Sequence, residues 1–250
     1  MILPRVRDHP EHRGRATLVD LHLHTIASDG RCTPGELVER AAEAALTVIA
    51  VTDHDTTAAV AEVQSLAREF GMETVSGIEI TAVEEGRDIH VLGYFVDPLN
   101  DSLQTFLAAQ RRARIARVET IGARLTALGM SIDVQPLLLA AERENGRSVG
   151  RPLLARALVG AGYAADTREA FDRWLGHGCP AFVPRSGASP EVVIALIHEA
   201  GGIASLGFSV PGLITQLVNF ASARASLCHG CQDGPFAIAG PVRHLVLLSM

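Results

Sequence analysis

Short apolar runs alternate with helical patterns along residues 18–96, and this alternation is the feature that most limits the fold of the chain. Four of the runs predict strands: TLVDLHLH (17–24), TVIAVT (47–52), METVSGIEI (72–80) and DIHVLGYFV (88–96). Between the first two, Thr33, Pro34 and Glu36 form a helix start with a capping box, which predicts a helix over 34–46. Strands separated by helices favour an α/β fold of βα units, with a parallel sheet or barrel.

A different pattern begins near Asn100. Residues 101–128 form one long helical pattern. Three shorter helices are predicted after it, over 133–144, 151–160 and 167–175. A capped helix at Ser189 and the strand GGIASL then restore the earlier alternation. The sequence therefore predicts five regions: an N-terminal extension (1–16), the first part of a barrel (17–99), a helical insertion that caps the substrate (100–185), a resumption of the barrel (186–206) and an atypical tail (207–250).

Composition excludes several classes of function. All 22 basic residues are arginine, so Schiff-base chemistry and a Walker-type phosphate loop, which need a lysine, are excluded. The net charge of -6 argues against duplex DNA as a partner, and the aromatic content of 4% argues against stacking platforms for bases. Because the N-terminus lacks an apolar signal segment and no apolar run is long enough for a membrane span, we expect a cytoplasmic protein.

Three polar side chains alternate with leucines on the first predicted strand. Asp20, His22 and His24 lie two residues apart, so they point to the same face of the strand. Two imidazoles with a nearby carboxylate are typical of a metal site, in which the acid either ligates the ion or orients a ligand. The alternative, a solvated polar face, is disfavoured because Leu21 and Leu23 need burial on the opposite side.

Other candidate ligands follow at the ends of the next predicted strands. Asp29 lies in a loop after the first strand, and Asp53-His54-Asp55 follows the second. Glu79 ends the third strand, and His90 lies within the fourth. Singly these residues have ordinary alternatives, such as a turn aspartate, a cap of the next helix for Asp55, or a buried core histidine. Together they predict a multinuclear site of imidazoles and carboxylates without thiolate, which suits Mn, Fe or Zn.

The long helical pattern carries a row of arginines. Arg111, Arg114 and Arg117 are spaced by three and share a helix face, and Arg151 lies at the start of a later helix. A solvated basic face is one interpretation of this row. The other is a phosphate clamp, because a guanidinium binds phosphate oxygens through two parallel hydrogen bonds.

Four blocks in this order and spacing, DLHLHTIASDG, AVTDHDT, GIEI and DIHVLGYFVD, resemble the polymerase and histidinol phosphatase (PHP) domain family. Within that family, RRARIAR, GRPLLARAL and WLGHGCPAFVPR resemble the stand-alone branch that acts on nucleoside 3',5'-bisphosphates and on short oligonucleotides from the 5' end. The resemblance covers about residues 17–206. It implies a distorted seven-stranded βα barrel, a trinuclear metal centre that is often manganese, and hydrolysis of a phosphate by metal-activated water.

The resemblance also implies a role for each candidate residue. His22 and His24 would hold one ion, Asp29 and His54 a second, Glu79 would bridge, and His90 would bind the third. Asp29 and His54 are then the candidate catalytic residues. Arg111, Arg114, Arg117 and Arg151 would face the phosphates of a small nucleotide or a short oligonucleotide.

The C-terminal part departs from the family pattern. Phe208 stands where the family has the histidine of an Ala-His-Pro-Gly turn, no Asp-x-His occurs after His90, and Leu153 replaces a further histidine. Of the last 44 residues only Arg224, Asp233 and Arg243 are charged. These departures favour the hypothesis that residues 207–250 are a truncated or frame-shifted replacement, so that the barrel is incomplete and fewer than three ions bind.

Two alternatives to this phosphoesterase therefore stay open. One is a non-catalytic remnant that binds metal or nucleotide without turnover. The other is a different PHP-branch phosphatase, for example one acting on histidinol phosphate; the arginine-bearing insertion disfavours it, because a small amino-alcohol phosphate needs no such clamp. The Cys228-His229-Gly230-Cys231 segment is at most a weak metal motif, because it lacks a fourth ligand.

Overall fold

The structure, a computed structural model, describes residues 18–143 and 146–206. The predictions for the N-terminal extension, for the tail and for the Cys228–Cys231 segment lie outside these residues. The elements are β1 (Val19–Leu23), α1 (Pro34–Glu43), β2 (Val48–Val51), α2 (Val60–Glu69), β3 (Glu73–Glu84), β4 (Arg87–Tyr94), α3 (Asp101–Ala127), α4 (Gln135–Arg143), α5 (Arg151–Gly160), α6 (Thr167–Ala170), a π-helical turn (Phe171–Leu175), α7 (Pro190–Glu199) and β5 (Ile203–Leu206). The α/β class is confirmed.

The five strands of the described chain form one mixed sheet in the order β1-β2-β3-β4-β5. Strands β1, β2 and β3 are parallel, whereas β4 pairs antiparallel with both β3 and β5. The expectation of a parallel arrangement is therefore wrong for β4, which runs opposite to the other four described strands. Only Glu85 and Gly86 separate β3 from β4, and a parallel crossover needs a dozen or more residues. Both have positive φ, 49° and 74°, which is the backbone of a tight type I′ hairpin turn.

The ends of the first two helices test the predicted caps. The capping box of α1 is confirmed: the Thr33 hydroxyl accepts from the Glu36 amide, and the Glu36 carboxylate accepts from the Thr33 amide. Helix α2 has Ala59 as its N-cap and no side-chain cap. The prediction that Asp55 caps this helix is wrong, because the Asp55 side chain accepts its hydrogen bonds from another strand and another helix.

The long helix α3 joins two hydrophobic cores. Leu103 and Leu107 in its first half pack with β3, β4 and α7. Val118, Ile121 and Leu125 in its second half pack with the helical segment that follows. Arginines in the middle of α3 therefore lie between the sheet and the helical segment. A third core joins α1 and α2 to the first two strands.

The helical segment follows the predicted pattern closely. Helix α5 has the predicted bounds, and the predicted helix over 167–175 divides into α6 and the π-helical turn. None of the helices in the described ranges has the combination of length and apolar character that a membrane span requires.

Candidate metal and phosphate site

Glu79 is the centre of a cluster of imidazoles. Its Oε2 atom lies 2.9 Å from Nε2 of His22 and 3.1 Å from Nε2 of His24, both at the end of β1. Its Oε1 atom lies 2.5 Å from Nδ1 of His90 on β4. His54, which follows β2, has its Nδ1 atom 3.7 Å from Oε2. The Glu79 carboxylate on β3 thus lies close to imidazoles from β1 and β2 on one side and from β4 on the other.

Asp29 closes the cluster on the opposite side of two of these rings. Its carboxylate oxygens lie 3.6 Å from Nδ1 of His24 and 3.5 Å from Nε2 of His54. The structure therefore brings together the six residues that the sequence predicts as metal ligands, and we call them the ligand cluster: His22, His24, Asp29, His54, Glu79 and His90.

The loop that carries Asp29 is held by a buried acid that the sequence had not assigned a role. The Asp53 carboxylate accepts from the Thr25 amide at 2.8 Å, from the Thr25 hydroxyl at 2.6 Å and from the Ser28 hydroxyl at 2.6 Å. These three bonds tie the end of β2 to the loop after β1. Asp53 thereby holds the two residues that adjoin His24 and Asp29 in the chain, Thr25 and Ser28.

Asp20 does not enter any of the ligand groups found among residues 18–143 and 146–206. It is buried, with 3% of its surface exposed, and one carboxylate oxygen accepts from the His22 amide at 3.1 Å. Burial raises the pKa of the Asp20 carboxyl, although the His22 amide opposes the shift. Of the two roles that the strand pattern left open for Asp20, orientation of a ligand is the one that this contact supports.

The geometry of the ligand cluster fits divalent metal ions. Three overlapping groups place their ligand atoms within 4.8 Å of one another: His22, His24 and Glu79; His24, Asp29 and His54; His54, Glu79 and His90. Successive imidazole centroids lie only 4.8 to 5.0 Å apart. In the described chain, the buried Nδ1 atoms of His24 and His54 have no hydrogen-bond partner. Unpartnered imidazole nitrogens facing shared carboxylates are the donor set that Zn, Fe or Mn takes.

The cluster shifts the pKa values of its members in opposite directions. Burial would raise the pKa of Glu79, but hydrogen bonds with His22, His24 and His90 hold it far below its ordinary range. Burial likewise acts to raise the pKa of Asp29, but His54 and His24 lower it to about 2. Both carboxyls are therefore ionised at neutral pH, as metal ligands must be.

The two central histidines differ from each other. Burial lowers the pKa of His24, but the hydrogen bond with Glu79 and the charge of Asp29 outweigh burial and leave it above the ordinary value. For His54, burial dominates and lowers the pKa in spite of Asp29. His54 is therefore a neutral imidazole at neutral pH, the form that binds a metal.

A cavity of about 220 Å³ adjoins the ligand cluster. Its lining includes three members of the cluster and four arginines: Asp29, His54, His90, Arg114, Arg117, Arg151 and Arg185. Arg151 also packs against the rings of Phe171 and Phe182, with its guanidinium carbon 5.7 Å and 5.6 Å from their centroids. The cavity thus has a wall of potential metal ligands and a wall of guanidinium groups.

Two of these arginines each have one guanidinium nitrogen that makes no hydrogen bond to the described residues. Nη1 of Arg185 and Nη2 of Arg117 are buried and have no hydrogen-bond partner within the described ranges. Burial, together with the charge of Arg151 for Arg117 and of Arg114 for Arg185, lowers the pKa of each to about 10. Both remain cationic at neutral pH, and a bound anion would relieve the repulsion between them.

The other predicted arginines are placed differently. Arg111 is not part of the cavity lining, and its Nη1 atom donates to the Asp55 carbonyl at 3.2 Å. Arg114 lines the cavity, but all three of its guanidinium nitrogens donate to protein atoms. Arg151 donates to the Asp88 carboxylate at 3.1 Å, and Nη1 of Arg117 lies 3.7 Å from the same carboxylate.

Sequence reasoning missed two residues of the cavity. Arg185 is the only Asp, Glu, Lys or Arg between positions 174 and 190, an isolated charge that marks a buried polar role. Asp88 precedes His90 in an Asp-x-His triplet whose alternation places both side chains on one face of β4. Both signals are present in the sequence, but neither shows which arginines Asp88 would meet.

Comparison with known proteins gives consistent matches. The family model of the PHP domain matches residues 20–148. A 5'-3' exoribonuclease from Haemophilus influenzae is 38% identical over 185 residues, which cover 74% of this chain and 66% of that protein. A 3',5'-nucleoside bisphosphate phosphatase from Chromobacterium violaceum is 33% identical over 186 residues, which cover 74% of this chain and 65% of that protein. The matched region thus spans slightly less than two thirds of these relatives.

A solved structure shares the fold as well. An amidohydrolase from Chromobacterium violaceum, determined with bound sulfate and no metal, superposes with a TM-score of 0.73 at 31% identity. The superposition covers 82% of this chain and 73% of that one, so it extends well beyond the residues that the family model matches.

Proposed function

The chain belongs to the PHP domain family, and from that premise we propose that it is a metal-dependent phosphoesterase. Its substrates are nucleoside 3',5'-bisphosphates, short 5'-phosphorylated oligonucleotides, or both. The names of the relatives from Haemophilus influenzae and Chromobacterium violaceum support this substrate class. The products are inorganic phosphate from a bisphosphate, or a nucleotide from an oligonucleotide.

One observation carries the proposal: the ligand cluster and a group of buried arginines line the same cavity. A phosphate ester in this cavity would have potential metal ligands on one side and guanidinium groups on the other. A substrate with two phosphates uses both walls at once, because one phosphate meets the reaction centre while the second is held by arginine. A substrate with a single phosphate leaves the unpartnered nitrogens of Arg117 and Arg185 without an anion.

The ligand cluster offers positions for up to three ions. We assign His22 and His24 to one ion, Asp29 and His54 to a second, and His90 to a third, with Glu79 shared between them. The overlap of the three ligand groups, in which His24, His54 and Glu79 each occur twice, supports this sharing. Manganese is our choice of metal, with iron or zinc as the alternatives that the same ligands accept. Divalent ions in this position neutralise a phosphoryl group and acidify a water molecule.

The protein's own residues bind the substrate, orient it and exclude water from the cavity. Arg117, Arg151 and Arg185 bind oxygens of the phosphate group whose phosphorus is not attacked. Asp29, with a pKa of about 2, serves as a carboxylate and not as a proton donor. His54, whose pKa burial lowers, is a neutral ligand beside it. We propose Asp29 and His54 as catalytic residues; both line the cavity, and they lie 3.5 Å apart.

We also propose that the described sheet belongs to a distorted seven-stranded barrel that is incomplete towards the C-terminus. In this division residues 17–99, of which 18–99 are described, and residues 186–206 belong to the barrel, and residues 100–185 form the helical insertion that caps the substrate. The position of α3, with Gln110 and Arg114 against β3 and its second half in the helical core, supports this division.

The test is phosphate release from 3'-phosphoadenosine 5'-phosphate, measured beside metal content on one preparation. We expect Mn-dependent release that His54→Ala abolishes, with up to three ions bound per chain. His198→Ala, at an exposed position near the end of α7, is the matched control and keeps full activity. A wild-type protein that binds no manganese would refute the proposal. Binding of one ion without turnover would identify a non-catalytic remnant instead.

A further inference from the structure

Asp55 follows His54 but is not one of the candidate ligands. Its backbone has a φ of 51°, in the left-handed region that costs a non-glycine residue energy. The residue is fully buried, and its amide donates to the Glu79 carbonyl at 2.9 Å. The backbone of Asp55 is therefore bonded to the strand position that carries the central carboxylate of the ligand cluster.

The Asp55 carboxylate replaces a missing strand partner. Strand β2 ends at Val51, whereas β3 continues past the last position at which β2 pairs with it. The Thr81 amide on β3 therefore needs another acceptor, and Oδ1 of Asp55 accepts from it at 2.9 Å. Thr81 is the register partner of His90 on β4. The carboxylate thus holds the same strand segment that positions His90 and Glu79.

The second carboxylate oxygen holds the helical insertion. Oδ2 of Asp55 accepts from Nε of Arg114 at 2.5 Å, and Nη1 of Arg185 lies 3.6 Å away. The other Arg114 nitrogens donate to the Thr81 hydroxyl at 3.0 Å and to the Val149 carbonyl at 3.3 Å. These bonds engage all three guanidinium nitrogens of Arg114 and use three of its five N–H donors.

We infer that Asp55 is a positioning residue for the metal centre, and that Arg114 acts as its partner. Arg114 on α3 fixes the Asp55 carboxylate, and Asp55 fixes the backbone that presents His54, Glu79 and His90. The helical insertion and the ligand cluster are thereby joined through the buried Asp55 carboxylate, which faces Arg114 and Arg185. This inference rests on the proposed metal site. Arg117 differs from Arg114, because its Nη2 atom has no hydrogen-bond partner among the described residues.

The energetics favour a role beyond local stability. A buried ion pair by itself is weak support for stability, because desolvation of both charges offsets their attraction. Here the pair is combined with a left-handed backbone that an acidic residue tolerates better than most, and with contacts on both sides of the site. Partners that orient metal ligands in this way typically change metal affinity by about 10- to 100-fold when they are replaced.

The experiment measures Mn²⁺ binding by calorimetry and the visible spectrum of the Co²⁺-substituted protein. Asp55→Asn keeps the size of the side chain and removes its charge. We expect Mn²⁺ affinity to fall by about 10- to 100-fold and the Co²⁺ spectrum to change, because the geometry of the ligands changes. Val118→Ala, a buried apolar truncation on the same helix α3, is the control. It lowers the unfolding temperature but leaves affinity and spectrum unchanged.

A folded Asp55→Asn protein with wild-type affinity and spectrum would overturn the inference. If wild-type protein itself binds no Mn²⁺, the proposed function fails, and that outcome is distinct. If Asp55→Asn does not fold, Arg114→Lys makes the same test, because it keeps a positive charge beside Asp55 but loses the bonds to Thr81 and Val149. Weaker Mn²⁺ binding by Arg114→Lys supports the positioning role, and unchanged binding contradicts it.

Discussion

His90 reaches Glu79 diagonally across the β3–β4 hairpin, with its Nδ1 atom 2.5 Å from Oε1 of Glu79. In the register of the hairpin, His90 lies opposite Thr81 and Glu79 lies opposite Leu92, so the two residues are neighbours on one face, two positions apart. This diagonal contact exists only because β4 runs antiparallel to β3. The reversal of the chain at Glu85 and Gly86 therefore adds a fourth imidazole to the cluster around Glu79.

Replacement of Glu79 by glutamine should remove metal binding. The neutral amide cannot supply the charge that three imidazoles share in the metal-free protein, and it is a poorer metal ligand than a carboxylate. We expect the Mn²⁺ content after dialysis to drop sharply, with a loss in affinity of more than about 100-fold. Glu73→Gln, at the exposed start of the same strand, is the control and should retain its metal. Retention of metal by Glu79→Gln would exclude Glu79 as the shared ligand.

Replacement of Arg185 should weaken the binding of the second phosphate. A hydrogen bond to a charged group contributes about 1.5–3 kcal/mol, so Arg185→Gln should raise KM for a bisphosphate by roughly 10- to 100-fold. The rate on a substrate with one phosphate should change much less, because such a substrate does not use this arginine. Steady-state kinetics on both substrates make the comparison. Arg168→Gln, at a highly exposed arginine, should leave both unchanged, and an equal loss on both substrates would contradict the assignment.

Metal affinity should fall as the pH is lowered through the pKa of His24. This pKa lies above the ordinary 6.5, so part of the metal-free protein carries a proton on His24 near neutral pH. A metal must displace that proton, and binding should therefore release protons and strengthen between pH about 6 and about 8. The raised pKa has the opposite effect on the metal-free fold: its stabilising contribution is complete below pH 6.5 and is lost as the pH rises through the folded-state value.

Calorimetry in buffers of different ionisation enthalpy counts the released protons. The exposed His198 offers a control, since His198→Ala should preserve the proton count. If affinity does not vary with pH and no protons are released, the metal does not displace a proton from His24.

Alanine at Gly30 should disturb the ligand cluster, whereas alanine at Gly35 should not. A Cβ at Gly30 would lie 2.3 Å from the His24 carbonyl oxygen and 2.7 Å from the Thr25 amide nitrogen, both rigid backbone atoms. The loop must move to relieve this overlap, and it carries Asp29. We expect weaker Mn²⁺ binding and a lower unfolding temperature for Gly30→Ala.

The paired substitution at Gly35 meets no atom within 4 Å and lies in the first turn of α1. The free energy of unfolding of Gly35→Ala should exceed that of the wild-type protein by up to about 1 kcal/mol, because alanine is a better helix former than glycine. Thermal unfolding without metal and a Mn²⁺ titration compare the two variants. If the two variants have the same unfolding temperature and the same Mn²⁺ affinity, the Asp29 loop accommodates a Cβ at Gly30, and the prediction is wrong.

The sequence alone determined the α/β class, the long helix α3 and the six members of the ligand cluster. These features depend on local signals: alternation along a strand, caps at helix starts, and polar residues that follow apolar runs. His22 and His24 point to the same side for the simple reason that a strand repeats every two residues. These local signals identify the six residues, whereas the contact of His90 with Glu79 depends on the direction of β4.

Only the tertiary structure decided the direction of β4 and the division of work among the arginines. Arg111, Arg114 and Arg117 share a helix face at regular spacing, yet Arg114 is used by Asp55 and Arg117 keeps a free nitrogen. Its position before a helical pattern makes Asp55 a candidate helix cap, whereas its actual partners Thr81 and Arg114 are distant in the chain. Hydrogen bonds of a buried charge depend on which segments meet around it, and residue spacing does not contain that information.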